Sequence, residues 1–426
     1  MAGRSLPMVE RRMLGVLRER LAYEVVVGIE GPRSVGKSTL LRALAEERGV
    51  TVVDLDDPAI REAVEADPRT FAQGPSPVCI DEYQKTKVIL DAIKAELNIE
   101  QTPGRFVLTG STAYASLPMD AQSLTARLHM LEIRPLSQGE IAGITEDFVE
   151  VCLRDPAELV TPAPGTATRA DYISRIVAGG FPMALQRPEG PARRRWFDDY
   201  LRQSIERDLL DISRVQQRVK LPLLLERLAS QTAQSLNIAA AARDTGLEPT
   251  TTENYTKLLE AVFLVHRLRA WGTTLRSRAV SHPKIHIIDS GVAARVLGLT
   301  SKRLALLQPA ALTEFGHLLE TFVVGEVMKQ TSWLDEKIIT GHWRTHDGDE
   351  VDLVLEGDDG RIVGFEVKAG TRITGGDLSG MRKLRNHLGD NFIGGVALYT
   401  GERAYTYEDR LHVMPIDRLW TPSSAL

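Results

Sequence analysis

The chain has few cysteines, few aromatic side chains and no long apolar run. Two of its 426 residues are cysteine, Cys79 and Cys152, and 6% are aromatic. Two cysteines cannot build a disulfide framework, and neither has metal-ligating residue types beside it at a metal-site spacing. No segment approaches the ~18 consecutive apolar residues of a membrane span, and residues 1–20 are too charged for a secretory signal. We therefore expect a cytoplasmic protein that does not enter a membrane.

The chain also lacks a strong charge of either sign. Its formal net charge is −5, with 26% charged and 43% hydrophobic residues, an ordinary composition for a globular protein. Binding to nucleic acid must then come from a local basic patch and not from the chain as a whole. The length predicts about two to four domains.

Residues 31–38 read Gly-Pro-Arg-Ser-Val-Gly-Lys-Ser, which is a complete phosphate-binding loop pattern. A β-branched apolar run at 23–29 precedes it and a helical pattern at 38–45 follows, so the loop has the strand and helix that it requires. Glycines let backbone N–H groups approach phosphates, and the helix N-terminus adds a positive dipole end. The pattern predicts that Lys37 reaches the β- and γ-phosphates of ATP and that Ser38 binds Mg²⁺.

Two later strand ends supply the other groups of an ATPase site. In the run Val-Cys-Ile-Asp-Glu we expect Asp81 to hold Mg²⁺ through water and Glu82 to polarise the attacking water. A second apolar run ends in hydroxyl residues, so Thr109 or Ser111 can face the γ-phosphate, although a plain strand-to-turn ending has the same pattern. The residues expected to bind the nucleotide are Gly31, Pro32, Arg33, Ser34, Val35, Gly36, Lys37, Ser38, Thr39 and Thr109.

Residues 235–271 predict a helix, a glycine-containing turn, a second helix and an apolar run, which resembles a winged-helix domain. The second helix would then face DNA, and the contacts expected on it are Thr250, Thr251, Asn254 and Lys257. The basic wing and its extension would be Arg267, Arg269, Arg276, Arg278 and Lys284. Glu253 and Glu260 on the same helix favour a packing or protein-contact module instead, and the sequence leaves both interpretations open.

Near the C-terminus, Asp352 lies in one predicted strand, and Glu366 and Lys368 lie in the next, after a Gly-Asp-Asp-Gly turn. Residues i and i+2 of a strand share a face, so Glu366 and Lys368 point the same way, and the hairpin can bring Asp352 beside them. Two carboxylates can bind Mg²⁺ or Mn²⁺, and a lysine can orient the metal-bound water. Ordinary solvated charges on a half-exposed hairpin are the alternative. The surrounding pattern predicts an α-β-β-β-α-β order, opened by a helix at 312–330 that carries Glu320.

Taken together, these segments resemble an AAA-type ATPase family of bacteria and archaea whose members carry a nuclease-like C-terminal domain. The resemblance is carried by the loop at 31–38, Ile-Asp-Glu-Tyr-Gln at 80–84, Leu-Thr-Gly-Ser at 108–111, Arg-Pro-Leu-Ser at 134–137, Gly-Gly-Phe-Pro at 179–182 and Ile-Glu-Arg-Asp at 205–208. The spacing Asp-x13-Glu-x-Lys resembles the PD-(D/E)XK nuclease core, and Glu320 resembles the third acid of its Holliday-junction-resolvase-like members. One departure is Ala126, which stands where the family usually has glycine before an arginine.

The resemblance implies an α/β protein with several folded parts. These are a P-loop AAA-type ATPase domain (1–150), a helical extension or linker (151–214), a winged-helix-like region (215–311) and a PD-(D/E)XK nuclease-like α/β domain (312–426). The residues expected to be catalytic are Glu82, Arg127, Arg207, Asp352, Glu366 and Lys368. The two arginines are the candidates for the arginine that phosphoryl transfer often needs, supplied either in cis or by a neighbouring subunit. The residues expected to bind metal are Ser38, Asp81, Glu320, Asp352 and Glu366.

The leading functional hypothesis is an ATP-binding and ATP-hydrolysing protein that acts on duplex or branched DNA, with Mg²⁺- or Mn²⁺-dependent endonuclease activity in its C-terminal domain. The alternative is a nucleotide-gated switch or a DNA- or protein-binding regulator whose nuclease-like domain does not cut. The sequence leaves a homo-oligomer open, either a ring or a dimer.

Overall fold

The N-terminal part of the chain forms a five-stranded parallel sheet. The computed structural model describes residues 9–113, 124, 127–209, 217–274 and 282–426. The strands are β1 Val26–Glu30, β2 Val52–Asp54, β3 Val78–Asp81, β4 Phe106–Gly110 and β5 Leu128–Glu132, in the spatial order β2-β3-β4-β1-β5. Every neighbouring pair is parallel, so the carboxyl ends of all five strands lie at one edge of the sheet. The predicted α/β fold with a parallel sheet is confirmed for this part.

Helices pack on both faces of this sheet. They are α1 Arg12–Arg20, α2 Lys37–Arg48, α3 Pro58–Ala66, α4 Pro68–Ala72 and α5 Val88–Leu97. Two further helices, α6 Gln138–Ala142 and α7 Phe148–Arg154, follow the sheet and contact the C-terminal part of the chain. Successive residues of β1 point to opposite faces, and both are fully buried: Val26 packs with the cluster around α3 and α5, and Val27 with the cluster around α1 and α2. A sheet covered on both faces explains why its strands read as continuous apolar runs.

The middle of the chain is mainly helical. After α8 Arg169–Ala178 and α9 Pro182–Leu185, the helix α10 Pro191–Gln203 continues into a π-helical turn, Ser204–Asp208. The next elements are α11 Leu221–Ala229, β6 Gln234–Ser235, α12 Ile238–Thr245, α13 Pro249–Ala261, β7 Val265–Leu268 and β8 Lys284–Ile287. The three strands form an antiparallel sheet in the order β6-β8-β7. Gly246, at φ +64°, ends α12 and makes the tight turn into α13. Two short helices follow, α14 Ser290–Val296 and α15 Ser301–Leu304.

The C-terminal part is a six-stranded mixed sheet preceded by one long helix. Its elements are α16 Pro309–Thr331, β9 Ile339–Arg344, β10 Glu350–Glu356, β11 Ile362–Lys368, α17 Ser379–Leu388, β12 Phe392–Tyr399, β13 Tyr405–Glu408 and β14 Leu411–Pro415. The strand order is β13-β14-β12-β11-β10-β9, with β11 parallel to β12 and β12 parallel to β14. The predicted α-β-β-β-α-β order is present, and β13 and β14 are additional strands that the sequence did not predict.

The three parts share one apolar core. A single cluster of buried side chains extends from α2 through α7 and α16 to β11 and the C-terminal residues. Within it the rings of Phe148 and Phe365 lie 6.0 Å apart, so the first and last parts of the chain touch directly. The C-terminal tail is also held there, because the Ser423 backbone N–H donates to the Asp147 carboxylate at 2.9 Å. Across the described ranges, no helix combines the length and the apolar character that a bilayer crossing requires.

Candidate functional site: a phosphate loop and an acidic cavity

The phosphate-loop sequence follows β1 and opens α2 at the carboxyl edge of the parallel sheet. Its backbone is left-handed at three positions, Gly31 (φ +150°), Ser34 (φ +65°) and Gly36 (φ +101°). A Cβ on Gly31 would lie 2.1 Å from the carbonyl oxygen of Ile133, so only glycine fits beside β5. With this backbone, residues 33–36 of the loop and Lys37, Ser38 and Thr39 at the start of α2 line one cavity.

Lys37 is the buried cation of this loop. Its Nζ donates hydrogen bonds to the carbonyl oxygens of Gly31 and Pro32, both at 2.9 Å, and the residue is 4% exposed. Burial lowers the pKa of Lys37 to about 8, because removing an ammonium from water disfavours its charged form. The adjoining cavity has a volume of about 580 Å³ and is lined by Lys37, residues 33–36, Ser38, Thr39 and Glu82. An ammonium that can leave two neutral carbonyls for phosphate oxygens suits a triphosphate ligand.

The two acids predicted to serve ATP lie at the end of β3, beside β4. The Thr109 hydroxyl donates a short hydrogen bond to Asp81, and the Ser111 hydroxyl donates to Glu82 at 3.0 Å. The Gln84 amide also donates a short hydrogen bond to Glu82 and bonds Ser111 at 3.1 Å. Glu82 has a left-handed backbone (φ +55°), an uncommon conformation for this residue type. Thr109 and Ser111 were predicted to face phosphate or water, and the structure places each against one of the acids.

Asp208 and Arg11, which the sequence analysis did not name as site residues, hold the loop in position. The Arg33 guanidinium pairs with Asp208 in the π-helical turn at 2.6 Å. Arg11, just before α1, donates to the carbonyl oxygen of Val35 at 2.6 Å and to Glu140 at 3.0 Å. Both links join segments far apart in sequence, so local pattern gave no signal for them. Asp208 does belong to the Ile-Glu-Arg-Asp segment quoted for the family resemblance.

The structure separates both arginine candidates from the phosphate loop. Arg127 directly precedes β5, and β5 runs parallel to β1, so Arg127 lies at the opposite edge of the sheet from Gly31. There its guanidinium donates to the Asn98 side chain at 2.9 Å. This position does not allow Arg127 to reach the phosphate loop of its own chain, and a role supplied to a neighbouring subunit stays a prediction. Arg207 is one residue from Asp208, but its side chain is exposed and does not line the cavity in the described part of the chain.

A second cavity, of about 600 Å³, lies between the three-stranded sheet and the C-terminal sheet. All four predicted C-terminal residues, Glu320, Asp352, Glu366 and Lys368, line this cavity, and the β10–β11 hairpin brings Asp352 beside Glu366 and Lys368. The backbone N–H of Val367 donates to Asp352 at 2.9 Å, and Lys368 donates to Glu366 at 2.7 Å. Burial and the nearby Asp352 raise the pKa of Glu366 to about 8.

Lys284 lies at the centre of this acidic cavity. Its ammonium contacts Glu350 at 2.5 Å, Glu320 at 2.7 Å and Asp352 at 2.9 Å, and the side chain is 2% exposed. Burial opposes its charge, but the three carboxylates outweigh burial and raise the pKa of Lys284 well above its usual range. Burial and Asp352 also raise the pKa of Glu320 well above its usual range. The prediction that Lys284 extends an exposed basic stretch is wrong, because this lysine is the internal counter-ion of the acids.

The predicted C-terminal metal ligands do not form a ready coordination shell. Glu320 and Asp352 are held together through Lys284, and Glu366 lies on the other side of Asp352 beside Lys368. Within the described ranges, no three or more His, Cys, Asp or Glu side chains are grouped so that they could hold a metal ion. As arranged, the site is neutralised by ammonium groups and does not fit a bound divalent cation.

The predicted DNA-facing helix has an exposed polar side that carries little positive charge. Thr250, Asn254 and Lys257 are exposed on α13. Arg267 of β7, however, pairs with Glu253 at 2.8 Å and Glu260 at 2.9 Å on that same helix. The wing arginine is thus neutralised internally. Arg276 and Arg278 lie outside the described residues.

Three family models match separate segments of the chain. Residues 23–142 match the family model "AAA domain", 169–303 match "Domain of unknown function (DUF8612)" and 315–419 match "Domain of unknown function (DUF4143)". Two relatives are the uncharacterised proteins Mb2031c of Mycobacterium bovis and Rv2008c of Mycobacterium tuberculosis. Each is 27% identical over 428 residues, which is 99% of this chain and 87% of the relative.

A solved structure, the Walker-type ATPase PABY2304 of Pyrococcus abyssi, covers 68% of this chain and 96% of its own, at 14% identity and a TM-score of 0.41. That likeness is too low to support an argument, so the assignment depends on the family match and on the observed sheet and loop. The family match at residues 23–142 and the observed sheet and loop support an α/β fold of the P-loop ATPase kind for the N-terminal part of the chain.

Proposed function

We propose that the protein binds and hydrolyses ATP and uses the nucleotide as a conformational switch. The observation that carries the proposal is the meeting of Lys37, Ser38 and Glu82 in one cavity at the carboxyl edge of a parallel sheet. Lys37 binds the β- and γ-phosphates, and backbone N–H groups of the loop bind the remaining phosphate oxygens. Ser38 and Asp81 would hold Mg²⁺, which neutralises charge on the phosphates.

Glu82 is the general base in this proposal. Its carboxylate accepts hydrogen bonds from Ser111 and Gln84, which fix its orientation while one side of it lines the cavity. A carboxylate held in this way can accept a proton from the attacking water. The left-handed backbone at Glu82 is consistent with this role, because strained conformations persist at sites where orientation matters.

The experiment that tests the proposal compares ATP binding and phosphate release in the parent, Lys37→Ala and Glu82→Gln. Lys37→Ala should lose binding, and Glu82→Gln should keep binding but hydrolyse about 10²–10⁴-fold more slowly. Lys302→Ala, which removes an exposed lysine, is the matched control and should behave as the parent. Phosphate release that survives Lys37→Ala would show that the activity comes from elsewhere.

For the C-terminal part, the position of Lys284 favours the interpretation that the nuclease-like domain does not cut in the observed arrangement. The α-β-β-β-α-β order and the meeting of Asp352, Glu366 and Lys368 support a PD-(D/E)XK-like fold, so DNA cleavage remains the second candidate function. Incubation with supercoiled and branched DNA in Mg²⁺ or Mn²⁺, with and without ATP, separates the two. Cutting that disappears in Asp352→Ala would establish the nuclease, and its absence supports the switch.

DNA binding without cutting is supported by the order α-β-α-α-β-β of the middle region, which resembles a winged helix. Because the exposed face of α13 carries one lysine, we expect weak, salt-dependent binding that falls further in Lys257→Ala. Fluorescence anisotropy on a labelled duplex at two salt concentrations measures this. Binding that is unaffected by salt and by the substitution would point to a protein-contact role.

A role for Arg127 in catalysis now requires a neighbouring copy of the chain. Because Arg127 lies at the far edge of the sheet, the only nucleotide that it could reach is one bound to an adjacent subunit. Light scattering with and without nucleotide tests for such a homo-oligomer. Loss of ATP hydrolysis in Arg127→Ala, with ATP binding retained, would then indicate an arginine supplied in trans.

A further inference from the structure

Lys284 meets three carboxylates that belong to two different elements. Glu320 comes from α16, whereas Glu350 and Asp352 come from β10 and lie two residues apart on one face of that strand. The ammonium bonds one oxygen of each, at 2.5–2.9 Å. Lys284 itself is the first residue of β8, in the separate three-stranded sheet. One cation therefore joins the middle region to both the long helix and the C-terminal sheet.

The Lys284 ammonium is surrounded by carboxylate oxygens in the way that a bound metal cation would be, but this cation is a side chain of the protein. A bound Mg²⁺ takes carboxylate oxygens at about 2.0–2.1 Å, and its charge would repel an ammonium only a few ångströms away. One oxygen of Glu320 and one of Asp352 already accept hydrogen bonds from Lys284, and the second oxygen of Asp352 accepts from the backbone N–H of Val367, so a metal would have to compete with these donors.

A second observation shows that the cavity retains unused ligand capacity. Glu366 is 8% exposed and lines the same cavity, and one of its carboxylate oxygens is buried with no hydrogen-bond partner among the described residues. Its other oxygen accepts from Lys368. One buried carboxylate oxygen of this cavity thus has no donor among the described residues, and such an oxygen is available as a ligand for a cation.

Lys284 is also held in place by its backbone. β8 is the central strand of its sheet, paired with both β6 and β7. The middle region is anchored to β9 through Trp271, whose backbone N–H donates to the carbonyl of His342 at 2.7 Å. Arg344 of β9 donates in turn to the Ser235 hydroxyl at 3.0 Å. The ammonium cannot leave the acids by a change of side-chain rotamer alone without leaving a buried charge unpaired.

We propose that Lys284 takes the place of a divalent cation in the acidic cavity and excludes metal from it. The Asp352 site is then closed to Mg²⁺ and Mn²⁺ as long as β8 stays docked against α16 and β10. This inference is independent of the ATPase proposal, because it concerns a different cavity and different residues.

The test measures Mn²⁺ binding by electron paramagnetic resonance in the full-length, nucleotide-free protein. The variants are Lys284→Met, Lys284→Met with Asp352→Asn, Asp352→Asn alone, and Lys302→Met as an exposed-lysine control. We expect no Asp352-dependent ion in the parent, and one ion per chain in Lys284→Met that disappears when Asp352→Asn is added. Mn²⁺ should also raise the melting temperature of Lys284→Met and leave that of the parent unchanged.

Two results would overturn the proposal. One is an Asp352-dependent Mn²⁺ ion in the parent, and the other is a folded Lys284→Met protein that binds no such ion. If Lys284→Met does not fold, an Asp352-dependent ion in the parent would still overturn the proposal, since that comparison needs no change at Lys284. ATP hydrolysis measured on the same preparations reports separately on the ATPase proposal.

Discussion

Arg33 of the phosphate loop makes two parallel hydrogen bonds to Asp208, through Nε at 3.1 Å and Nη2 at 2.6 Å, although 175 residues separate them in the chain. The Asp208 side chain is 4% exposed and that of Arg33 is 19% exposed, so water screens the pair weakly. A bidentate pair of this kind fixes direction as well as distance. The loop that is expected to hold ATP is therefore tied to the turn that ends α10.

We predict that Asp208→Asn weakens the interaction between Arg33 and residue 208. The change keeps the shape of the side chain but removes its charge, which leaves the Arg33 guanidinium half-buried without a counter-ion. The free energy of unfolding should fall by about 1–3 kcal/mol, and the KM for ATP should rise. Urea denaturation and steady-state kinetics measure the two effects. The control is Asp199→Asn, which removes an exposed partner of Arg202 on the same helix and should change stability by less than about 0.5 kcal/mol. Equal effects of the two substitutions would argue against a special role for the buried pair.

The burial of Lys37 predicts a pH dependence of nucleotide binding. Its pKa is about 8 in the free protein, and phosphate oxygens beside it would raise that pKa in the complex. The complex then holds the proton to higher pH than the free protein does. ATP affinity should therefore be full below the pKa of about 8 and decrease as the pH rises through it. Titration from about pH 7 to about pH 10 tests this, and Lys37→Ala should show a flat profile at much weaker affinity. Parallel profiles in the two proteins would assign the titration to another group.

Gly380 should not tolerate a side chain. A Cβ at this position of α17 would lie 1.9 Å from the backbone oxygen of Glu350, so the helix would have to move off the sheet. We expect Gly380→Ala to lower the free energy of unfolding by about 1–3 kcal/mol. Gly316→Ala in α16 is the matched control, since its Cβ would meet nothing within 4 Å. That change should be neutral or stabilise the protein by up to about 1 kcal/mol, because alanine is the better helix former. Chemical denaturation of both variants measures the two changes in the free energy of unfolding. Equal destabilisation would rule out the close approach of position 380 to the Glu350 backbone as the cause.

Gln330 joins α16 to two other segments through buried hydrogen bonds. Its amide donates to the carbonyl of Leu419 at 2.6 Å, and its oxygen accepts from the backbone N–H of Val149 at 3.0 Å. Gln330→Leu would leave both backbone groups buried without partners, at a cost of about 2–4 kcal/mol. Gln73→Leu removes an exposed hydrogen bond to Glu96 and should cost far less. If thermal and urea unfolding show similar losses for both, the buried contacts contribute little.

Local patterns predicted most of the elements because their causes are local. The strand predicted to carry Glu366 and Lys368 is present as β11, and the loop at 31–38 lies between the expected strand and helix. The relation of Asp352 to Glu366 also followed from sequence, because a short hairpin fixes which residues of its two strands face each other. These features depend on neighbours within a few residues or on one turn.

The contacts that local pattern could not predict are those between distant segments. Lys284 looked like part of a basic surface stretch, and only the packing of β8 against α16 and β10 reveals its buried position. Arg127 looked suitable for sensing phosphate until the parallel register of β1 and β5 placed it at the wrong edge. In both cases the sequence showed that the residue is a cation, but the partners of that cation depended on tertiary structure.

The long helix α16 has a mechanical consequence. Glu320 lies on it beside Lys284, while six residues later Glu326 accepts from the backbone N–H of Gln138, and Lys329 donates to the carbonyl of Leu136 at 3.0 Å. Six residues are about 9 Å of rise and about 240° of rotation, so the two ends of this stretch face different cavities. Because a continuous helix bends little, a shift or rotation at one end of it moves the other end as well. A displacement of the segment after β5 would therefore change the position of Glu320 in the acidic cavity. No ligand would have to pass between the phosphate-loop cavity and the acidic cavity.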